Sequence, residues 1–96
     1  MSDNTMKTHN IKLLYDFVDA VYSGEKPFEV RKNDRGYQKG DYICFIPILD
    51  NGEIARKHPI AKTRYVITYV LSGWGIEQGY VVLGIREVNN SEEVTK

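Results

Sequence analysis

Between Gly24 and Phe28 the chain must end a helix and begin a strand, which ties one helix to one strand with almost no connecting loop. Upstream, Leu14, Phe17, Val18, Val21 and Tyr22 recur at i, i+3, i+4, i+7 and i+8, the stripe of an amphipathic helix. Asp16 near the start of that stripe suits the positive end of the helix dipole. Gly24 follows the last apolar position, where a left-handed C-cap leaves no room for a side chain. Pro27 cannot donate to a ladder, so it belongs at the mouth of the next strand. From there the pattern changes to period two, with Phe28 and Val30 on one face and Glu29 and Arg31 on the other. The expectation is that the apolar face enters a core while the charged face builds a site.

The remaining chain is rich in β-forming runs. Residues 8–14 fit a first strand, 42–49 a nearly continuous apolar strand covered on both faces, and 65–71 and 80–88 two more. Turn chemistry separates them at Asn33-Asp34-Arg35-Gly36, Gln38-Lys39-Gly40-Asp41 and Asp50-Asn51-Gly52. Residues 53–62 are polar and read as a loop, and 72–79 as a long hairpin loop. Residues 1–6 and 89–96 read as loose tails around one domain at 7–88. The fold class is therefore α+β, mainly β: a small barrel of about five strands, with one N-terminal helix at about residues 15–23 after the first strand. Closing the sheet would remove its exposed edges.

Ninety-six residues suffice for one core and leave little for a second. No apolar run approaches the ~18–20 residues of a membrane span, so no membrane partner is expected. Met1-Ser2-Asp3-Asn4-Thr5 is polar and unlike a secretory signal, and the single Cys44 has no disulfide partner. These features together predict a cytoplasmic protein. Cys44 should act as a small buried hydrophobe. His9 and His58 stand far apart without a ligand set, so neither metal nor cofactor is expected. Formal net charge is zero, but residues 26–64 hold nine Lys and Arg against five Asp and Glu, a local +4 that the flanks offset. Such a zone suits a polyanion, although a solvated mixed-charge surface would look the same.

Gly24-x-Lys26-x-x-Glu29-x-Arg31 resembles the G-x-K-x-x-E-x-R signature of the ASCH superfamily, whose members have PUA-like β-barrels. More narrowly, the chain is similar to the small bacterial and phage proteins grouped as DUF3850. Thr8-His9, the run from Lys26 to Arg35, Tyr37-Gln38-x-Gly40-Asp41, Ile67-Thr68-Tyr69-Val70-Leu71 and the run from Gly79 to Ile85 carry that similarity over roughly residues 7–86. The resemblance implies a PUA-like barrel that binds RNA or a nucleotide in a cleft beside the helix.

Lys26, Glu29 and Arg31 are the first candidates for that cleft. Arg31 offers a planar fork for phosphate or a base edge, Lys26 a mobile point charge, and Glu29 an acceptor or an anchor for Arg31. The alternative is a salt bridge that only fixes the helix–strand junction. Lys32, Arg35 and Lys39 would extend the basic floor toward a nucleic-acid backbone, or simply solvate a turn. Trp74 can stack on an unpaired base, but a lone Trp more often closes one end of a core, and the core is favoured. Tyr37 is open in the same way. Some ASCH relatives hydrolyse an amide on a modified cytidine with a lysine, a threonine and a glutamate. Here Lys26 matches the lysine while Glu29 stands at the threonine position, so that mechanism does not transfer. A Lys26/Glu29 pair acting on RNA or a modified nucleoside stays open as an alternative, as does a module that binds a protein partner. On the binding reading, Arg31 can be removed with little loss of fold.

Overall fold

Alternation organises β1 (Thr8–Leu14), which turns His9, Ile11 and Leu13 inward and leaves Thr8, Asn10, Lys12 and Leu14 outside. The computed structural model describes residues 6–88, so the expected tails lie outside the described residues apart from Met6. Helix α1 (Tyr15–Ser23) follows β1 directly and ends at Gly24, whose φ of 87° is the left-handed cap expected. Next come β2 (Phe28–Lys32), β3 (Tyr42–Ile48), β4 (Arg64–Leu71) and β5 (Tyr80–Val88). They form one sheet in the order β1-β3-β4-β5-β2, with β1 parallel to β3 and every other pair antiparallel.

The sheet curls into a half-barrel, so its two end strands, β1 and β2, come to face each other across a seam. Only two residues of the helical stripe, Val18 and Val21, are buried against the sheet. Leu14, Phe17 and Tyr22 stay exposed, so the buried stripe is narrower than the spacing predicts. In β4 the register shifts between Ile67 and Tyr69, a bulge at Thr68 that keeps Tyr65 and Ile67 inward and sets Val70 against the same core. A Cβ on Gly84 would meet Thr68 Oγ1 at 2.7 Å, so the bulge requires a glycine opposite it.

Three expectations need correction. β3 is buried on one face only: Ile43, Phe45 and Pro47 turn into the core, while Tyr42, Cys44, Ile46 and Ile48 lie half-buried on the outer face, which the core does not cover. Residues 53–62 are more than a loop. Ile54 bridges Ile48, Ala55 N–H donates to the Pro47 carbonyl, and a 3-10 turn at Pro59–Lys62 sends Ile60 into the core. Trp74 does not close the core. It sits 90% exposed at a positive φ of 54°, in the β4–β5 connection. No described helix is long and apolar enough to cross a membrane.

The core also holds a polar fault. Tyr65 is 3% exposed and packs edge-on against Phe45, yet its hydroxyl has no partner among the described residues. Burial, with the nearby Glu87 carboxylate adding to it, pushes this phenol up to about 12. The fold therefore favours the neutral phenol. Stability is intact below the ordinary tyrosine value of about 10 and is lost as pH rises through 12, where the unfolded chain ionises first. Tyr65→Phe is expected to raise stability by about 1 kcal/mol near neutral pH and to flatten the alkaline loss. Urea unfolding of both proteins at neutral and alkaline pH measures this, and a destabilised phenylalanine variant would refute it.

Candidate functional site

The facing of β2 is set by its neighbour β5. Glu29 pairs with Leu83 and Arg31 with Val81, and both β5 residues belong to the core. Phe28 and Val30 pair with Gly84 and Val82 on the outer side, where they are 41% and 55% exposed. The expected orientation is thus reversed: the charged face turns inward and the apolar face turns out. Glu29 is only 3% exposed.

A buried carboxylate is tolerated only when it is paired and hydrogen-bonded. Glu29 meets that condition with two cations. Its Oε2 accepts from Lys26 Nζ at 2.7 Å, and its Oε1 accepts from Arg31 Nε at 3.2 Å and Nη2 at 3.1 Å. Arg31 Nη2 also donates to the Lys12 carbonyl at 2.6 Å, across the seam on β1. The guanidinium therefore crosslinks the two end strands while its Nη1 has no partner among the described residues. Lys26 is held further by the Phe28 carbonyl at 3.0 Å and lies over the rings of Phe28 and Phe17. It is a fixed charge, not the mobile one expected. Gly24 explains why it can be there: Lys26 N–H closes onto the Ala20 carbonyl just past the left-handed cap, aiming its side chain back along the helix.

Arg31 divides the seam into two adjoining cavities. One, of about 450 Å³, is walled by Leu13, Phe17 and Val30 and edged by Lys12, Lys26 and Lys32. The other, of about 380 Å³, is more polar, with Asn10, Asp34, Arg35 and Tyr37 joining Lys12, Arg31 and Lys32. Five cations face two carboxylates across the pair, a net of +3. Burial pushes the Tyr37 phenol up, against the opposing pull of Arg31 and Arg35, whose charges reach into the second cavity.

Behind that cavity lies a second buried polar knot. Asp41 Oδ2 lies 2.8 Å from His9 Nε2 and accepts from Gln38 N–H at 3.1 Å, while its Oδ1 accepts from Lys7 N–H at 3.3 Å. His9 packs tilted against Tyr37 at 4.7 Å between centroids. This knot pins the start of β1 to the turn after β2 and so fixes one wall of the seam.

Of the residues singled out from the sequence, Lys26, Glu29, Arg31, Lys32 and Arg35 converge on the seam. Lys39 and Trp74 line neither cavity. Lys12 and Phe17 were missed. Lys12 is an outward residue of an alternating strand, and that strand becomes a wall only because the sheet curls. No group of three or more His, Cys, Asp or Glu among the described residues is arranged to hold a metal ion.

A family model described as a domain of unknown function (DUF3850) matches residues 8–85. No curated protein matches the chain.

The geometry changes what Arg31 is expected to do for the fold. Its loss leaves Glu29 with one partner and opens the seam, so Arg31→Ala and Glu29→Gln should each lower stability by about 1.5–3 kcal/mol. Because they share one interaction, the double variant should cost less than the two single losses together. Urea unfolding midpoints of the three variants measure the coupling, and strict additivity would show that the two side chains act independently.

Proposed function

The chain belongs to the DUF3850 family, a domain of unknown function, and from its own residues we propose that it binds RNA or a nucleotide in the seam between β1 and β2. The observation that carries this reading is the buried Glu29, which holds Arg31 and Lys26 in place at the mouth of a cationic cavity. A carboxylate that needed only neutralising would be served by one cation. Two immobilised cations beside Lys12 and Lys32 leave a positive excess that an anionic ligand can occupy.

Preorganised donors bind without first losing rotamer freedom, and Arg31 Nη1 offers a pair of N–H groups suited to a phosphate or a base edge. Phe17 and Val30 provide the apolar wall on which a base can rest. Each cavity falls in the range of about 300–1,000 Å³ usual for small-ligand sites. The resemblance of the Gly24–Arg31 signature to ASCH and PUA-like proteins, a superfamily inferred to bind RNA, supports the same assignment.

The hydrolytic alternative using Lys26 and Glu29 is less favoured. Both Glu29 oxygens are engaged by cations, and no serine, threonine or cysteine lines either cavity to act as a nucleophile.

Lys32 and Arg35 test the proposal best, because neither side chain has a hydrogen-bond partner among the described residues and truncating it should spare the fold. Anisotropy titration of labelled single-stranded RNA should show affinity falling with salt. Lys32→Ala and Arg35→Ala should each reduce the slope of log K against log salt by about 0.7, with thermal melting unchanged. Absence of binding to RNA and nucleotides alike, or binding indifferent to salt, would refute it.

A further inference from the structure

The basic zone of the sequence extends beyond the seam. Arg56, Lys57 and Lys62 lie past β3, and two more cavities gather them. One, of about 440 Å³, lies between Ile46, Ile54, Arg56 and Lys62. The next, of about 610 Å³, runs along residues 54–59 to Tyr15. These cavities are not isolated from the seam. Ile46 lines both the polar seam cavity and the first of the outer two, and Ile54 and Arg56 line both outer cavities.

The strand register explains the continuity. Lys12 pairs with Ile46, and Ile48 with Ile54, so Lys12, Ile46, Ile54 and Arg56 look out from one surface of β1, β3 and the 54–56 segment. Two strand spacings of ~4.8 Å separate the Lys12 row from the Ile54 row, a gap of about 10 Å. Charge is segregated along this path. Among the described residues, eight of the twelve Lys and Arg line these four cavities, against two of the ten Asp and Glu.

We propose that the ligand is a single-stranded oligonucleotide that leaves the seam, passes round the edge of β1 and continues over β3 onto the basic 54–62 segment. This inference rests on the nucleic-acid reading of the seam and extends it from a nucleotide to a strand. A mononucleotide fills one seam cavity and leaves the outer cations unused. A duplex is too stiff to turn round one edge strand of a small domain, since its persistence length is about 50 nm. A single strand bends freely, and cations interspersed with Ile46, Ile54 and the exposed ring of Tyr15 offer charge to its backbone and apolar surface to its bases.

The test compares uridine monophosphate with labelled oligouridylates of about 4, 8 and 12 nucleotides, lengths that span common site sizes of small β domains. The longest is expected to bind at least about tenfold tighter than the monophosphate. In Arg56→Ala/Lys57→Ala/Lys62→Ala, affinity for the longest strand should fall by about tenfold or more, and its salt slope by about 2. The monophosphate should bind that variant as it binds the parent protein. Arg56→Lys/Lys62→Arg should retain long-strand binding, and thermal melting reports that each variant is folded. Equal affinity for the monophosphate and the longest strand would overturn the extended path while sparing the seam, as would a triple variant that binds the longest strand like the parent. A duplex bound more tightly than its single strand would also overturn it. No binding of any length, monophosphate included, would overturn both readings.

Discussion

The carboxylate of Glu29 sets the terms for the rest of the structure. It is buried beside Leu83 in the core row of the sheet, and two cations approach it from different directions. Lys26 arrives from the end of α1, and Arg31 from the same strand as Glu29. Desolvating the three groups offsets much of their attraction, so the cluster adds little to stability relative to an apolar replacement. What it supplies is position. The helix terminus, β2 and, through Arg31, the Lys12 carbonyl of β1 are referred to one point.

That arrangement also answers the edge problem of a curled sheet. A closed barrel pairs its first and last strands by a ladder, whereas here the strand order ends at β1 and β2. A guanidinium bridges them instead. A side-chain bridge leaves most of both edges open to the cavity, so the seam keeps backbone and side-chain donors that a ladder would consume. At the far side, the His9–Asp41 pair and Tyr37 anchor the start of β1 to the turn after β2. The seam is thus held from both ends, with its middle left accessible.

Much of the framework was legible in the sequence, because it depends on local periodicity and turn chemistry. The bounds of β1, α1 and β5 follow from alternation, the apolar stripe and Gly24. What failed was the assignment of faces. Period two separates Glu29 and Arg31 from Phe28 and Val30, but it cannot say which set turns inward. That choice belongs to Val81 and Leu83, some fifty residues away in the chain, which fix the core side of β2 through register. Hydrophobicity pointed the wrong way because the cluster neutralises its own carboxylate. Trp74 failed for a related reason: the core is filled by aliphatic residues with Phe45, Tyr37 and Tyr65, and the glycine-flanked loop carries the indole outward. His9 and Asp41 stand 32 residues apart, and only the parallel pairing of β1 with β3 brings them together.

A neutral chain can still present a strong local field if its charges are sorted by the fold. Burying one carboxylate under two cations sorts them at short range, since the cations are held where solvent cannot relax them away. The β1–β3 register then sorts them at longer range, by placing Lys12 in line with Ile46 and hence beside the basic 54–62 segment. Neither step needs excess positive charge overall. Fixed cations in a partly desolvated groove act through a lower effective dielectric than exposed ones, so each contributes more to holding an anion than a solvated surface lysine would. The same burial that makes Glu29 a poor acceptor for a ligand makes Arg31 and Lys26 better donors, and the inversion of β2 is therefore what turns a structural ion cluster into a candidate binding surface.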